Sequence, residues 1–261
     1  MADITLTYKG ATIAELSESG TKTIETAGKY CEADIGLAYV KPGGGGGQAM
    51  LDAFISNAEI ESPFVTDVQT LRASAFNSSQ YPLQVVLNNV TSIPSSCFQG
   101  SKMTSVKMPN VTALGANAFR DAKIVYAVLP KHTQSSLVDY LFAGNTSLLA
   151  ADYGPNTTNI GRNYIFQNAS SLATVIFRQA GSVVPLSNTN SFNGTPFASG
   201  GAGGTIYIPK ALYDHLGDNS ALDYKAATNW ATVDGYGTIT WAKIEGSIYE
   251  TQYADGTPIS S

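Results

Sequence analysis

Charge is scarce in this chain. Only 13% of its 261 residues are Asp, Glu, Lys or Arg, against roughly a quarter in most soluble domains. Net charge is -5 and the sequence pI is about 5.0, so no basic surface invites a nucleic-acid backbone. Asn, Ser, Thr, Gly and Gln supply the polarity instead, a surface of neutral hydrogen-bonding groups common in extracellular and virion proteins. Cysteine is limited to Cys31 and Cys97, which read as two small buried hydrophobes; neither has metal-ligand spacing. No apolar run approaches the roughly 18 residues of a membrane span. The start MADITLTYKG lacks the basic segment and apolar core of a secretory signal. Only His132 and His215 could supply an imidazole base, and neither stands in a motif. His132 reads as a solvated loop residue. There is no Gly-x-Ser-x-Gly and no His-x-x-x-His. These absences predict no catalytic residues, no metal, no cofactor and no enzymatic activity.

What is present is repetition. Residues 91–130 contain one sentence twice: Ile93 stands five before Phe98, as Leu114 stands five before Phe119. Each Phe is followed by an apolar residue at plus five (Met103, Ile124) and plus ten (Met108, Leu129), then by Pro109 or Pro130. The pattern extends back to Leu71 and Phe76 and forward to Leu137 and Phe142, then Ile160 and Phe166. From Phe76 through Phe98, Phe119, Phe142 and Phe166 the steps are 22, 21, 23 and 24 residues. A sixth, degenerate unit runs through Phe192 and Phe197 to Ile206 and Ile208. Such a period predicts a solenoid whose unit is too small to bury its own apolar face. Within a unit, Ser105-Val106-Lys107-Met108 alternates as a short strand with one face buried.

The units, approximately I-x-x-x-x-F then L-x-x-V-x-L-P with N-V-T-x-I between, resemble the BspA-like class of leucine-rich repeats over about residues 51–209. The resemblance implies a β-rich α+β leucine-rich-repeat solenoid.

Ahead of it, residues 1–41 read as a small β module, in which Ile4, Leu6 and Tyr8 alternate before the Lys9-Gly10 turn. Its motifs TYKGATIAEL (7–16), SGTKTI (19–24) and AGKYCEADI (27–35) resemble an N-terminal module of tail and virion-associated proteins of gut phages and prophages. Residues 42–47 read as a glycine linker. No P-loop follows, because Gln48-Ala49 stands where Lys and Ser or Thr are needed. Residues 48–57 are predicted to form an N-terminal cap helix, which makes 48–209 the repeat domain. Residues 210–261 form the expected distal cap and tail, with helices near 212–216 and 221–230. Trp230 and Trp241 are read as cap core or, alternatively, a sugar-stacking platform, and 249–261 as mobile or an assembly contact. Asn-x-Ser/Thr triplets at Asn77, Asn89, Asn110, Asn145 and Asn168 are assigned to turn chemistry rather than glycosylation.

If Val106 and Met108 point inward, parity sends Ser105 and Lys107 outward, together with Val86, Tyr126, Val128, Asp152, Thr174 and Ile176. Stacking aligns these eight into one ladder face of mixed character, either open as a binding surface or covered by loops, caps or another subunit. The resemblance implies a non-enzymatic phage tail or fibre protein, located on the virion and assembled in the host cytoplasm. Residues 3–40 would attach it to other virion proteins. Its partners would then include a host-surface protein or glycan, and further copies of itself, a trimer ahead of a dimer. The alternatives are a BspA-like adhesin on the bacterial cell surface, against which the missing signal weighs, and a carbohydrate-active enzyme.

Overall fold

The structure, a computed structural model, describes residues 71, 73, 76–78, 84–133 and 138–259 in full, together with the backbone of four strands ahead of them. Those strands are β1 (Ile4–Tyr8), β2 (Ala11–Leu16), β3 (Lys29–Ala33) and β4 (Glu59–Thr66). The predicted cap helix at 48–57 and the glycine linker lie outside the described residues. β1 and β2 form an antiparallel pair. β3 pairs parallel with β4, and β4 with β5 (Gln84–Leu87). A strand from the N-terminal 41 residues therefore lies in one sheet with the repeats.

The repeat strands follow: β6 (Ser92–Ile93), β7 (Ser105–Lys107), β8 (Ala113–Leu114), β9 (Tyr126–Leu129), β10 (Ala150–Tyr153), β11 (Thr174–Phe177), β12 (Gly204–Ile208) and β13 (Ile239–Lys243). They build parallel sheets in the orders β3-β4-β5-β7 and β9-β10-β11-β12-β13, with β6 beside β8. The two larger sheets meet where the Val125 N–H donates to the Thr104 carbonyl at 3.1 Å. Pairing joins equivalent positions of successive units, such as Ala151 with Ala127 and Val175.

Phe spacing makes the core. Phe76, Phe98, Phe119 and Phe142 are all buried and stack nearly parallel, with ring centroids 4.8, 5.0 and 5.6 Å apart. Phe166 continues the stack at 5.7 Å, and Phe192 joins it tilted at 5.5 Å. Around these rings runs a second backbone ladder, made by turns rather than strands. Each Phe N–H donates to the residue before the Phe of the next unit: Phe76 to Cys97, Phe98 to Ala118, Phe119 to Leu141, Phe142 to Ile165. The residue two further on donates to the residue after that next Phe, Gly100 to Arg120 and Gly144 to Gln167. Aiming alternate N–H groups along the stack requires left-handed backbone on both sides of the ring. Two before it stand Ser96, Asn117, Tyr140 and Tyr164, with φ from 55° to 58°; two after it, Gly100, Asp121, Gly144, Asn168 and Gly194, with φ from 56° to 71°.

A third line of bonds crosses the N-V-T turns. The Thr112 N–H donates to Thr91 O, Thr133 to Thr112, and Thr158 to Thr133, and each hydroxyl donates to the same carbonyl as its own N–H. Asn145 is fully buried. With its amide oriented to satisfy both ends, Nδ2 donates to the carbonyls of Ala122 and Ile124. Turn chemistry thus holds for Asn145, whose burial leaves no access for a glycan.

The distal end departs from the expected helical cap. The stack gains a further strand, β13, and the helices are single turns, α1 (Lys210–Tyr213) and α2 (Trp230–Asp234). Asp223 explains part of this, because its carboxylate accepts from the N–H groups of Asn219 and Lys225. Such local bonds hold the backbone in turns at the expense of a helix. Trp230 closes the core, as read from the sequence. It is buried, its Nε1 donates to Val184 O at 2.8 Å, and it lies against Phe177 and Phe192. Trp241 packs on it and donates to Asp234.

Candidate functional site

The predicted parity holds along the ladder. Val85, Leu87, Val106, Met108, Ala127, Leu129, Ala151, Tyr153, Val175 and Phe177 are buried. Between them, on the outward face, Val86, Ser105 and Val128 are half-buried, while Lys107 and Tyr126 are exposed. Farther along, the same face closes: Asp152 and Ile176 are buried to 1% and 0% exposure, and Thr174 is half-buried. Eight residues expected on one face therefore divide into an open proximal group and a covered distal group.

The cover is the C-terminal segment. After β13 and a single 3-10 turn (Ile248–Glu250), the chain makes a tight hairpin around Asp255-Gly256. Gln252 pairs with Pro258, and the N–H groups of Tyr253 and Ile259 donate to Thr257 and Thr251. Gly256 has φ 81°, the left-handed conformation that an Asp-Gly turn supplies. The segment, expected from the sequence to be mobile or an assembly contact, is ordered against the ladder. One part-buried cation that no sequence motif marks anchors it.

Arg178, on the exit of β11, donates to both carboxylate oxygens of Asp152 at 2.7 and 2.8 Å. The same guanidinium donates to the carbonyls of Tyr249 and Gln252, and Tyr253 stacks its ring on it at 5.0 Å. The Ala254 N–H completes the Asp152 carboxylate at 2.9 Å. Burial pushes the Asp152 carboxyl upward, and the guanidinium and this N–H pull against it. An outward Asp in the middle of a ladder thus serves as half of a clamp.

Between the hairpin and the open strands lies a groove of about 270 Å³. Val86, Ser105, Lys107, Tyr126 and Val128 line it from the ladder, while Tyr253, Asp255 and Thr257 line it from the hairpin. Five of the eight residues singled out by parity line this one place. A second depression beyond Tyr126 carries Leu149 and Ile248, and these three are the exposed large hydrophobic residues among those described.

The histidines do other work. His132 is buried rather than solvated. Its Nδ1 lies 3.2 Å from the Thr157 hydroxyl, and its ring meets Tyr153 edge-on at 5.2 Å. His215 pairs with Asp218 on the surface at 2.7 Å. Among the described residues, no group of three or more His, Cys, Asp and Glu side chains could hold a metal. Nor is any helix there long and apolar enough to cross a membrane.

This geometry of short parallel strands, stacked Phe and ladders of turns has its counterpart in sequence comparison. Residues 55–196 match the BspA type leucine rich repeat region in six copies. The chain belongs to this family; the match ends at residue 196, ahead of Phe197, Ile206 and Ile208 of the sixth, degenerate unit. No curated protein matches it.

Proposed function

We propose that the chain is a non-enzymatic adhesion protein, a leucine-rich-repeat solenoid that presents the open part of its ladder face to a protein or glycan on a cell surface. One observation carries this reading: Tyr126, Val86 and Val128 lie outward beside Lys107 in a groove that the hairpin borders without filling. Membership of a BspA-type family is consistent with surface adhesion. The roles of His132 and His215, one in the core and one in a surface pair, favour binding over catalysis.

For the setting, the motifs at 7–16, 19–24 and 27–35 support a phage tail or fibre, with residues 3–40 attaching to other virion proteins and copies associating as trimers before dimers. A bacterial cell-surface adhesin fits the family equally well. Proteomics of purified virions against washed cell envelopes decides between these settings. Light scattering on the full chain reads the oligomer. The face itself is tested by adhesion of the full chain to candidate host cells. Tyr126→Ala and Lys107→Glu are expected to reduce adhesion at least tenfold with folding unchanged, and full adhesion by both variants refutes the reading.

A further inference from the structure

We infer that the groove between the hairpin and strands β5, β7 and β9 binds a neutral carbohydrate chain. This rests on the ladder face being the binding face, and it names the ligand class.

The first argument is charge. Lys107 and Asp255 are the groove's only charged side chains among the described residues, so that lining is neutral overall, and the whole chain carries -5. A polyanion would find one cation here, and a cationic ligand one acid. The Lys107 ammonium makes no hydrogen bond or ion pair within the described structure, and its side chain is exposed.

The second argument is the mixture of groups. Tyr126, 37% exposed, lines the groove from the ladder, and Tyr253, whose ring also stacks on Arg178, lines it from the hairpin. Neutral hydrogen-bonding groups of Asn88, Thr104, Ser105 and Thr257 lie around them. Sugars require this combination, because a pyranose has an apolar face for a ring to cover and an equator of hydroxyls that both donate and accept. An aliphatic ligand would leave the hydroxyls and the ammonium unsatisfied on burial.

The third argument concerns peptides. An extended peptide gains most of its affinity by pairing with an open strand edge. Among the described residues β5 is paired on both sides, by β4 and β7, and the end strands β7 and β9 turn their edges toward each other beside the Val125-to-Thr104 bond rather than toward an incoming chain. The cleft is open at the surface, so a chain can run on past the sugars it holds.

The experiment is calorimetric titration of the full chain with a panel of neutral oligosaccharides (hexaoses of glucose, mannose, galactose and xylose, and fucosylated galactosides), with heparin fragments as the polyanion. Binding of at least one neutral sugar is expected, with little dependence on salt. Tyr126→Ala, an exposed position, should weaken it tenfold or more while the melting temperature holds. Failure of every neutral sugar to bind, binding that Tyr126→Ala leaves unchanged, or preference for heparin overturns the assignment. Adhesion separates the two levels of argument. If Tyr126→Ala abolishes adhesion but free neutral sugars do not compete, the face stands and its ligand is a protein. If neither Tyr126→Ala nor Lys107→Glu affects adhesion, the ladder-face reading falls with it.

Discussion

Phe119 lies between two rings, 5.0 Å from Phe98 and 5.6 Å from Phe142, and is wholly buried. Removing it leaves a void that neither neighbour can fill, since each is held by its own backbone ladder. Phe119→Ala is expected to cost about 3–5 kcal/mol, read as a lowered denaturant midpoint. The period alone located this residue. The left-handed positions beside it were not legible, because two before the ring the side chains are Ser, Asn, Tyr and Tyr, which share no backbone signature. Tyr at φ near 57° is unusual for a bulky residue. It is held because Tyr140 and Tyr164 stack on each other at 4.8 Å with Arg120 over Tyr140. Gly154 shows another need of the stack: a Cβ there would strike the Pro130 carbonyl oxygen.

The hairpin that covers the distal face is anchored by the Arg178–Asp152 pair. Arg178→Ala would leave the Asp152 carboxylate buried and without its partner, a loss of about 3–5 kcal/mol for such pairs. Hydrogen exchange should show it locally, as faster exchange at the Tyr253, Ala254 and Ile259 amides, with the Phe-side amides protected as before. Asp152→Ala combined with Arg178→Ala is expected to cost less than the sum of the two single changes. At the other end, the composition of residues 42–47 implies two uncoupled modules, so that a chain starting at Gln48 would keep its melting temperature. The pairing of Lys29–Ala33 with Glu59–Thr66 argues otherwise. Without β3, the edge of β4 is open to another chain. The shortened chain is therefore expected to melt lower and to self-associate in light scattering. Glycine content reports how free a linker is, and it says nothing about whether the strands at its two ends meet. Ladder parity was legible for the same reason that the clamp was not: alternation is local, whereas Arg178 reaches carbonyls 71 and 74 residues away.

Across the whole molecule, acid should loosen the stack at its turns. Asp139 accepts from Arg162 and from the Asn163 N–H of the next unit, which holds its carboxyl below the usual carboxylate range. Asp218 is pulled down to about 2 by His215, then by Ser220. Because both native values lie below the unfolded value near 3.9, their contribution is present above that value and is lost as pH falls through the native ones. Urea midpoints should decline between about pH 4 and pH 2, and Asp139→Asn should decline less steeply over that range.

The directions of the hydrogen bonds have an electrostatic consequence. On the Phe side every ladder N–H points toward the next unit. Along the threonine turns each N–H and hydroxyl points back toward the unit before. Peptide dipoles aligned head to tail would add along the stack as they do in a helix, but these two lines oppose each other. The stack therefore accumulates less net dipole as it lengthens than either line alone would give, which tempers the partial charge that each added unit brings to its ends.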